Sequence, residues 1–356
     1  MQNIQSSALN VMISRMIDEQ RNHLVEEMVE QLMQGDPGAG ERYYGAAGEE
    51  QFQRNAGFFF GALVEALANS QPALFLDQVR WLCSVMAERG IPLQGLTMNL
   101  HSLQTILQKR LPEDAHPVIT DYIEHAVEAV NAFEDRTVSL LDLNNPHGEL
   151  AMAYLRAVLN GDRSEASRLI LEAAHGGVPV RDIYLRVLQP VQHEVGRLWQ
   201  ANQISVAHEH FVTAVTQLVM SQLYPFIFST SKHGRRMVAT CVGGELHEIG
   251  IRMVADFFEM DGWDSFYLGA NTPANSVVQS VIEREAEVLA LSATMTAHVG
   301  HVSQLIEVVR TSAASNVRIL VGGYPFNLLP DLWQRIGADG YAPDAEAALR
   351  LVGQLD

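Results

Sequence analysis

Along the first third of the chain, apolar residues recur three and four positions apart. Val11, Met12, Met16, Ile17, Leu24, Met28 and Leu32 form such a stripe, the spacing of one α-helical face. Gly35-Asp36-Pro37-Gly38-Ala39-Gly40 ends it, because glycine and proline extend a helix poorly. Helical patterning resumes through Phe58-Phe59-Phe60, Trp81, Leu100, Leu103 and Leu107, then from Val118 to Leu141. The break Asn144-Asn145-Pro146-His147-Gly148 predicts that an all-helical domain spans residues 1–145. Residues 149–228 then read as a four-helix bundle. Asp162 or Ser164 caps a helix through Leu171, Gly176-Gly177 ends it and Pro179 starts the next. Pro190 and Gly196 punctuate the run to Trp199, and Ser205 caps a last helix through Tyr224. Ser229 to Arg236 is a polar linker.

From Met237 the period changes. Short β-rich runs at Met237–Val242, Ser265–Leu268, Val288–Ser292, Val317–Val321 and Asp339–Ala342 alternate with helical patterns. That alternation predicts βαβ units and a doubly wound, five-stranded parallel sheet over residues 236–356. The fold class is therefore α plus α/β: an N-terminal helical domain, a four-helix bundle and a Rossmann-like sheet. In such sheets ligands sit at the carboxyl ends of the strands, so chemistry is sought in the loops that follow them.

Composition narrows the class. The chain has 356 residues, 47% hydrophobic and 19% charged, enough to bury sizeable cores. Its 24 Lys+Arg against 42 Asp+Glu give a formal charge of -18, which speaks against a duplex-binding surface. No apolar run reaches the ~20 residues of a membrane span, and the N-terminus lacks a basic segment followed by an unbroken apolar one. Cys83 and Cys241 are too few for a disulfide framework or a four-thiolate metal site. A cytoplasmic, multidomain protein is expected.

Three loops carry candidate chemistry. The first strand is followed by Gly243-Gly244-Glu245-Leu246-His247-Glu248-Ile249-Gly250, the third by Ser292-Ala293-Thr294 and the fourth by Gly322-Gly323-Tyr324. They would converge on one sheet edge, placing an imidazole, a hydroxyl and loop glycines around room for a large planar group. Singly, a histidine or a glycine pair after a strand is an ordinary loop feature. Their joint spacing resembles the cobalamin-binding domain pattern Asp/Glu-x-His-x-x-Gly, about 41 residues, Ser-x-Leu/Thr, about 26 to 28 residues, Gly-Gly. Glu245, His247, Gly250, Ser292, Thr294, Gly322 and Gly323 all match. The resemblance runs from roughly Leu150 to the C-terminus. It implies that His247 ligates cobalt from below, with Glu245 and Ser292 supporting it. Gly250, Gly322 and Gly323 would line the slot for the cofactor's benzimidazole tail.

The bundle is placed to cap that cofactor. Trp199, nine further residues, then Glu209-His210 resemble light-sensing cobalamin proteins of the CarH-like and AerR-like kinds. That likeness implies that Trp199 packs against a 5′-deoxyadenosyl group and that Glu209 contacts it. Gln200 departs from the DNA-binding members, which carry a histidine directly after the tryptophan. The expected function is an adenosylcobalamin photoreceptor: light breaks the cobalt–carbon bond, the cap shifts, and an oligomeric or interdomain contact changes. The rival expectation is a corrinoid carrier that shuttles a methyl group between methyltransferases; the lower-ligand motif is common to both. Neither makes the chain alone an enzyme. A homo-oligomer and a downstream effector domain or regulator are the expected partners, with no direct DNA or membrane contact.

For residues 1–145 three readings stand: a sensor or dimerisation domain; a domain resembling the globin-like helical domain of bacterial stress-signalling regulators; and, as in photocobilins, a biliverdin pocket. For the third, Phe58-Phe59-Phe60, Tyr43, Tyr44, Trp81 and His101 are the candidate lining. A lone histidine in the position of His101 reads as a core group.

Overall fold

In the computed structural model, which describes residues 2–35, 38, 48–134, 139–142 and 144–354, the chain falls into two compact units, Met1–Arg136 and Thr137–Asp356. The first is helical: α1 (Gln2–Glu19), α2 (Arg21–Gly35), α3 (Gly48–Ala68), α4 (Pro72–Glu88), α5 (Gln94–Arg110) and α6 (His116–Asn131). The apolar stripe near its start is divided by a turn at Gln20, and its buried line runs through Ile13, Ile17, Leu24 and Met28. Met12, one residue or about 100° of helix earlier than Ile13, is 41% exposed. Phe59 and Phe60 are buried in the core, Phe59 meeting Phe75 edge-on at 5.0 Å. Phe58 is 52% exposed and Trp81 half-buried. His101, expected in the core, is exposed; Met98, one turn before it, is also turned outward, and the buried face of α5 carries Leu96, Leu100, Leu103, Ile106 and Leu107. The described members of the expected bilin lining are thus divided between core and solvent. Tyr43 and Tyr44 lie outside the described residues.

The second unit begins with α7 (Gly148–Leu159) and α8 (Arg163–His175), the latter capped by Asp162, whose carboxylate accepts from the Glu165 N–H at 2.9 Å. A helical run then extends from Val180 to Gln200, ending in α9 (Gln189–Gln200). Pro190 does not break it. The turn before the proline, Tyr184–Leu188, widens to a π-helix, which accommodates a residue with no N–H and a bulky ring. Last comes α10 (Val206–Gln222), where Ser205 and His208 cap each other's backbone N–H groups.

The sheet follows as β1 (Arg236–Cys241), β2 (Asp264–Gly269), β3 (Val288–Ser292), β4 (Arg318–Gly322) and β5 (Gly340–Tyr341), all pairings parallel, in the order β2-β1-β3-β4-β5. Helices α11 (Ile249–Met260), α12 (Ala274–Arg284), α13 (Val299–Arg310) and α14 (Ala345–Val352) alternate with the strands. The order reverses between β1 and β3, so a crevice opens at their carboxyl ends, where the three candidate loops begin.

Helix α11 serves two cores. Met253 and Phe257 join the bundle core with Tyr184, Val187 and Val219, whereas Phe258 joins the sheet core with Trp263 and Val288. Each buried phenylalanine contributes roughly 1.5–3 kcal/mol, so the bundle is packed onto the sheet by apolar burial. One polar bond lies within this contact: the buried Tyr184 hydroxyl donates to Asp256 Oδ2 at 2.8 Å.

Burial pushes the Asp256 carboxyl up to about 6, more than the Tyr184 hydroxyl and the Arg252 charge lower it. The folded state therefore favours the protonated acid. Its contribution to stability is full below the ordinary carboxyl range and is lost as pH rises towards 6, by about 3 kcal/mol for this shift. Asp256→Asn, which keeps an acceptor for Tyr184, is expected to gain on the wild type by up to that amount between pH 4.5 and 7.5. Urea unfolding of both proteins across the range measures the difference; equal stability at both ends would contradict it.

Candidate functional site

The loop after β1 turns at Gly244, with φ +84°, and drives Glu245 into the protein, where its side chain is fully buried. Six donors meet that carboxylate. Oε1 accepts the backbone N–H groups of Leu246 and His247, both at 3.0 Å, and the His247 ring at Nδ1, at 2.5 Å. Oε2 accepts the Thr294 and Met295 N–H groups at 2.7 and 3.1 Å and His298 Nδ1 at 3.0 Å. Burial by itself would raise the acid's pKa; the bonds from His247 and His298 and from the backbone outweigh it and hold Glu245 well below the usual carboxylate range. The His247 imidazole shifts the other way, upward, chiefly through its bond to Glu245, against burial, with the charges of Glu245 and Glu209 adding.

His247 keeps 57% of its side chain exposed. With Nδ1 committed to a carboxylate, Nε2 has no partner among the described residues. An imidazole fixed in this way presents a lone pair outward and suits a metal.

Behind the loop, the Asn271 side chain accepts from the Gly244 N–H at 2.7 Å and its own N–H donates to the Glu245 carbonyl at 3.0 Å. Ser292 ends β3, buried and in register with Gly322. It makes no hydrogen bond to Glu245, although such support was expected of it; His298 occupies the second carboxylate oxygen. Thr294 contributes its backbone, with its residue half-buried.

The glycines have different reasons. Gly323 has φ +100°, and a Cβ there would lie 2.0 Å from the Ala293 carbonyl oxygen; at Gly322 a Cβ would stand 3.0 Å from that of Ala342. Backbone packing requires the glycine at 323 and leaves a side chain at 322 only a tight fit. Around Gly250, in the first turn of α11, a Cβ would meet nothing within 4 Å. Protein contacts do not explain the missing side chain there.

The bundle contributes Trp199, half-buried in the last turn of α9, and Glu209 in the first turn of α10. Glu209 Oε2 accepts from the exposed His210 at Nδ1, at 2.5 Å, and Oε1 from the Thr213 hydroxyl at 3.0 Å. Deeper on α10, Gln217 Nε2 donates to Glu248 Oε1 at 2.6 Å, and Tyr267 donates to Glu248 Oε2 at 2.7 Å. Arg252 donates to the Gln217 carbonyl at 3.2 Å and the Ser221 hydroxyl at 2.7 Å. The residues flanking His247 are thereby tied to the bundle. Sequence reading missed His298, His301 and Asn271; His298 lies four residues past Thr294 and 53 from Glu245, with no local pattern to link them.

A parallel sheet of this order, with a loop histidine backed by a buried acid at its switch point and a helical bundle packed on it, defines a doubly wound ligand-binding class of architecture. Accordingly, residues 235–350 match the family model described as B12 binding domain, and residues 150–224 match a second model of the same description. Among known proteins, dimethylamine corrinoid protein 1 of Methanosarcina acetivorans is 27% identical over 198 residues, 54% of this chain and 91% of its own. Monomethylamine corrinoid protein 2 of Methanosarcina mazei is 26% identical over 211 residues, 57% of this chain and 95% of its own. The solved Methanosarcina barkeri monomethylamine corrinoid protein superposes with a TM-score of 0.53 at 23% identity, covering 59% of this chain and 100% of that one. That likeness establishes the shared fold.

Two outcomes are expected. Glu245→Gln turns an amide nitrogen towards groups that only donate, and should cost about 3–5 kcal/mol in chemical denaturation at pH 7, like breaking a buried ion pair. Gly323→Ala should lower stability by more than about 1 kcal/mol, whereas Gly250→Ala should melt close to the wild type.

Proposed function

We propose that residues 149–354 hold a cobalamin with His247 Nε2 as the lower axial ligand of cobalt, and that the protein is a corrinoid carrier passing a methyl group between methyltransferases. The observation that carries the reading is the exposed imidazole whose Nδ1 is locked by a buried carboxylate at the sheet's switch point. The donor set fits: one neutral nitrogen directed outward, and open space over Gly250. When bound, the corrin supplies a cobalt able to accept and release a methyl group. His247 would hold it from below, and Glu245 would retain the Nδ1 proton so that Nε2 stays a donor. Ser292, Thr294, Gly322 and Gly323, at the ends of β3 and β4, would border the benzimidazole tail. The names of the relatives, dimethylamine and monomethylamine corrinoid proteins, favour the carrier over the light sensor.

A second reading keeps a specific observation in its favour. Glu209 stands close enough for its charge to act on His247, and Trp199 lies in the last turn of the preceding helix α9, joined to α10 by a short loop. In an adenosylcobalamin photoreceptor, Trp199 would pack against the adenosyl group and Glu209 would accept from its ribose hydroxyls. On illumination Trp199 would lose that partner and the bundle would shift on the sheet, changing contacts within a homo-oligomer or with a downstream regulator. The biliverdin reading draws no support from Phe58, Phe59, Phe60, Trp81 and His101, which are divided between core and surface.

Titration of the full chain with methylcobalamin and adenosylcobalamin in the dark tests the common core. The absorbance spectrum should change from tail-bound to histidine-bound cobalt, and His247→Ala should abolish that change; an unaltered spectrum in the variant would sink the assignment. Illumination then separates the two readings. A carrier keeps the same elution volume before and after green light and yields its methyl group to a methyltransferase. A photoreceptor bleaches with adenosylcobalamin and changes its oligomeric state, and Trp199→Ala removes that response.

A further inference from the structure

We propose that His298 is a positioning residue for His247, acting through Glu245. The inference rests on the reading of His247 as the cobalt ligand. His298 follows the β3 loop, its ring 19% exposed, with Nδ1 3.0 Å from Glu245 Oε2. An ionised carboxylate only accepts, so this nitrogen carries the proton. The ring is itself held. His301 stacks on it at 5.5 Å with planes 15° apart, and His301 Nδ1 donates to the Gly243 carbonyl at 2.9 Å, on the loop that carries Glu245.

The consequence is rotational. Three donors fasten Oε2: the Thr294 and Met295 N–H groups and His298. The Leu246 and His247 N–H groups hold Oε1 as well, so His298 adds the one side-chain bond on the far oxygen, and with it gone the carboxylate has more freedom to turn Oε1 off the His247 ring. In the neutral ring, which a metal selects, the bond from Nδ1 to Oε1 keeps the proton on Nδ1 and leaves the Nε2 lone pair bare. Two of the three fasteners are backbone groups, which no substitution of a side chain removes. His298 is the one that the sequence can vary. It stands where a serine at the end of β3 was expected to act, and Ser292 forms no bond to Glu245.

The test compares the full chain with His298→Ala and His298→Asn. The asparagine amide nitrogen falls near the position of the imidazole Nδ1 and restores a donor. In the protein without cofactor, labelled with 15N-histidine, the His247 ring should appear as the Nδ1–H tautomer in the wild type and in His298→Asn. It should appear as a mixture in His298→Ala. Hydroxocobinamide, which lacks the benzimidazole tail, is the binding probe: His298→Ala should weaken it by about 10- to 100-fold, the usual loss when a partner behind a metal ligand is removed, with His298→Asn close to the wild type. An unchanged tautomer in His298→Ala, or equal loss in both variants, overturns the positioning role. A tautomer that scrambles in His298→Ala, in a protein whose wild type shows no histidine-bound cobinamide spectrum, supports that role while overturning the cobalt reading.

Discussion

The structure around the site depends on one buried negative charge. A carboxylate removed from water costs several kcal/mol unless its lone pairs are filled by well-placed donors. Glu245 is fully buried, and its donors come from three places: its own loop, the loop after β3 and the start of the helical segment beyond it. Folding cannot bury this group without bringing those segments together. The outward pose of His247 is therefore set by the protein itself, before any ligand arrives. Such preorganisation removes an ordering cost from binding.

A second constraint links that loop to the bundle. Helix α11 begins two residues after His247 and is buried on two flanks about 100° apart, with Phe257 in one core and Phe258 in the other. Interiors are close-packed, so a helix held on two sides moves with both or with neither. The polar ties run the same way, from Gln217 to Glu248 and from Arg252 to Ser221 and the Gln217 carbonyl. A displacement of α10 would load the residue next to His247 directly. Bundle and ligand loop share one mechanical element, and this holds whichever group the upper face receives.

The sheet was legible because its strands are short runs rich in β-branched or aromatic residues separated by helical periods, and parallel pairing follows from that alternation. The Asp/Glu-x-His-x-x-Gly spacing was legible for a related reason: a turn, an acid and an imidazole must sit in fixed register to meet. His298 and Asn271 were not, since they reach Glu245 and Gly244 from loops 53 and 27 residues away and no local pattern marks such a meeting. Periodicity also slipped by one residue at Met12, where neighbouring apolar side chains made two stripes equally plausible and packing selected Ile13. Pro190 was legible as an interruption within the run to Trp199, but the π-turn that absorbs its missing N–H was not. The helical first unit was legible as helices and not as a pocket, because an aromatic run looks alike whether its rings fill a core or line a cavity.

The glycines carry the sharpest distinction between folding and binding. Gly323 is forced by the Ala293 carbonyl and its positive φ, and Gly322 sits tight against the Ala342 carbonyl. Their presence argues for the backbone path and, taken alone, for nothing bound. Gly250 is different, since an alanine there would meet no protein atom and would suit the helix better than glycine by roughly 0.5–1 kcal/mol. Gly250 shares its open surroundings with the helical glycines Gly57 and Gly196, so its freedom leaves the loop's outer side uncovered without marking a cavity. The pointer to a ligand is chemical: the bare Nε2 of His247, held outward by a buried carboxylate.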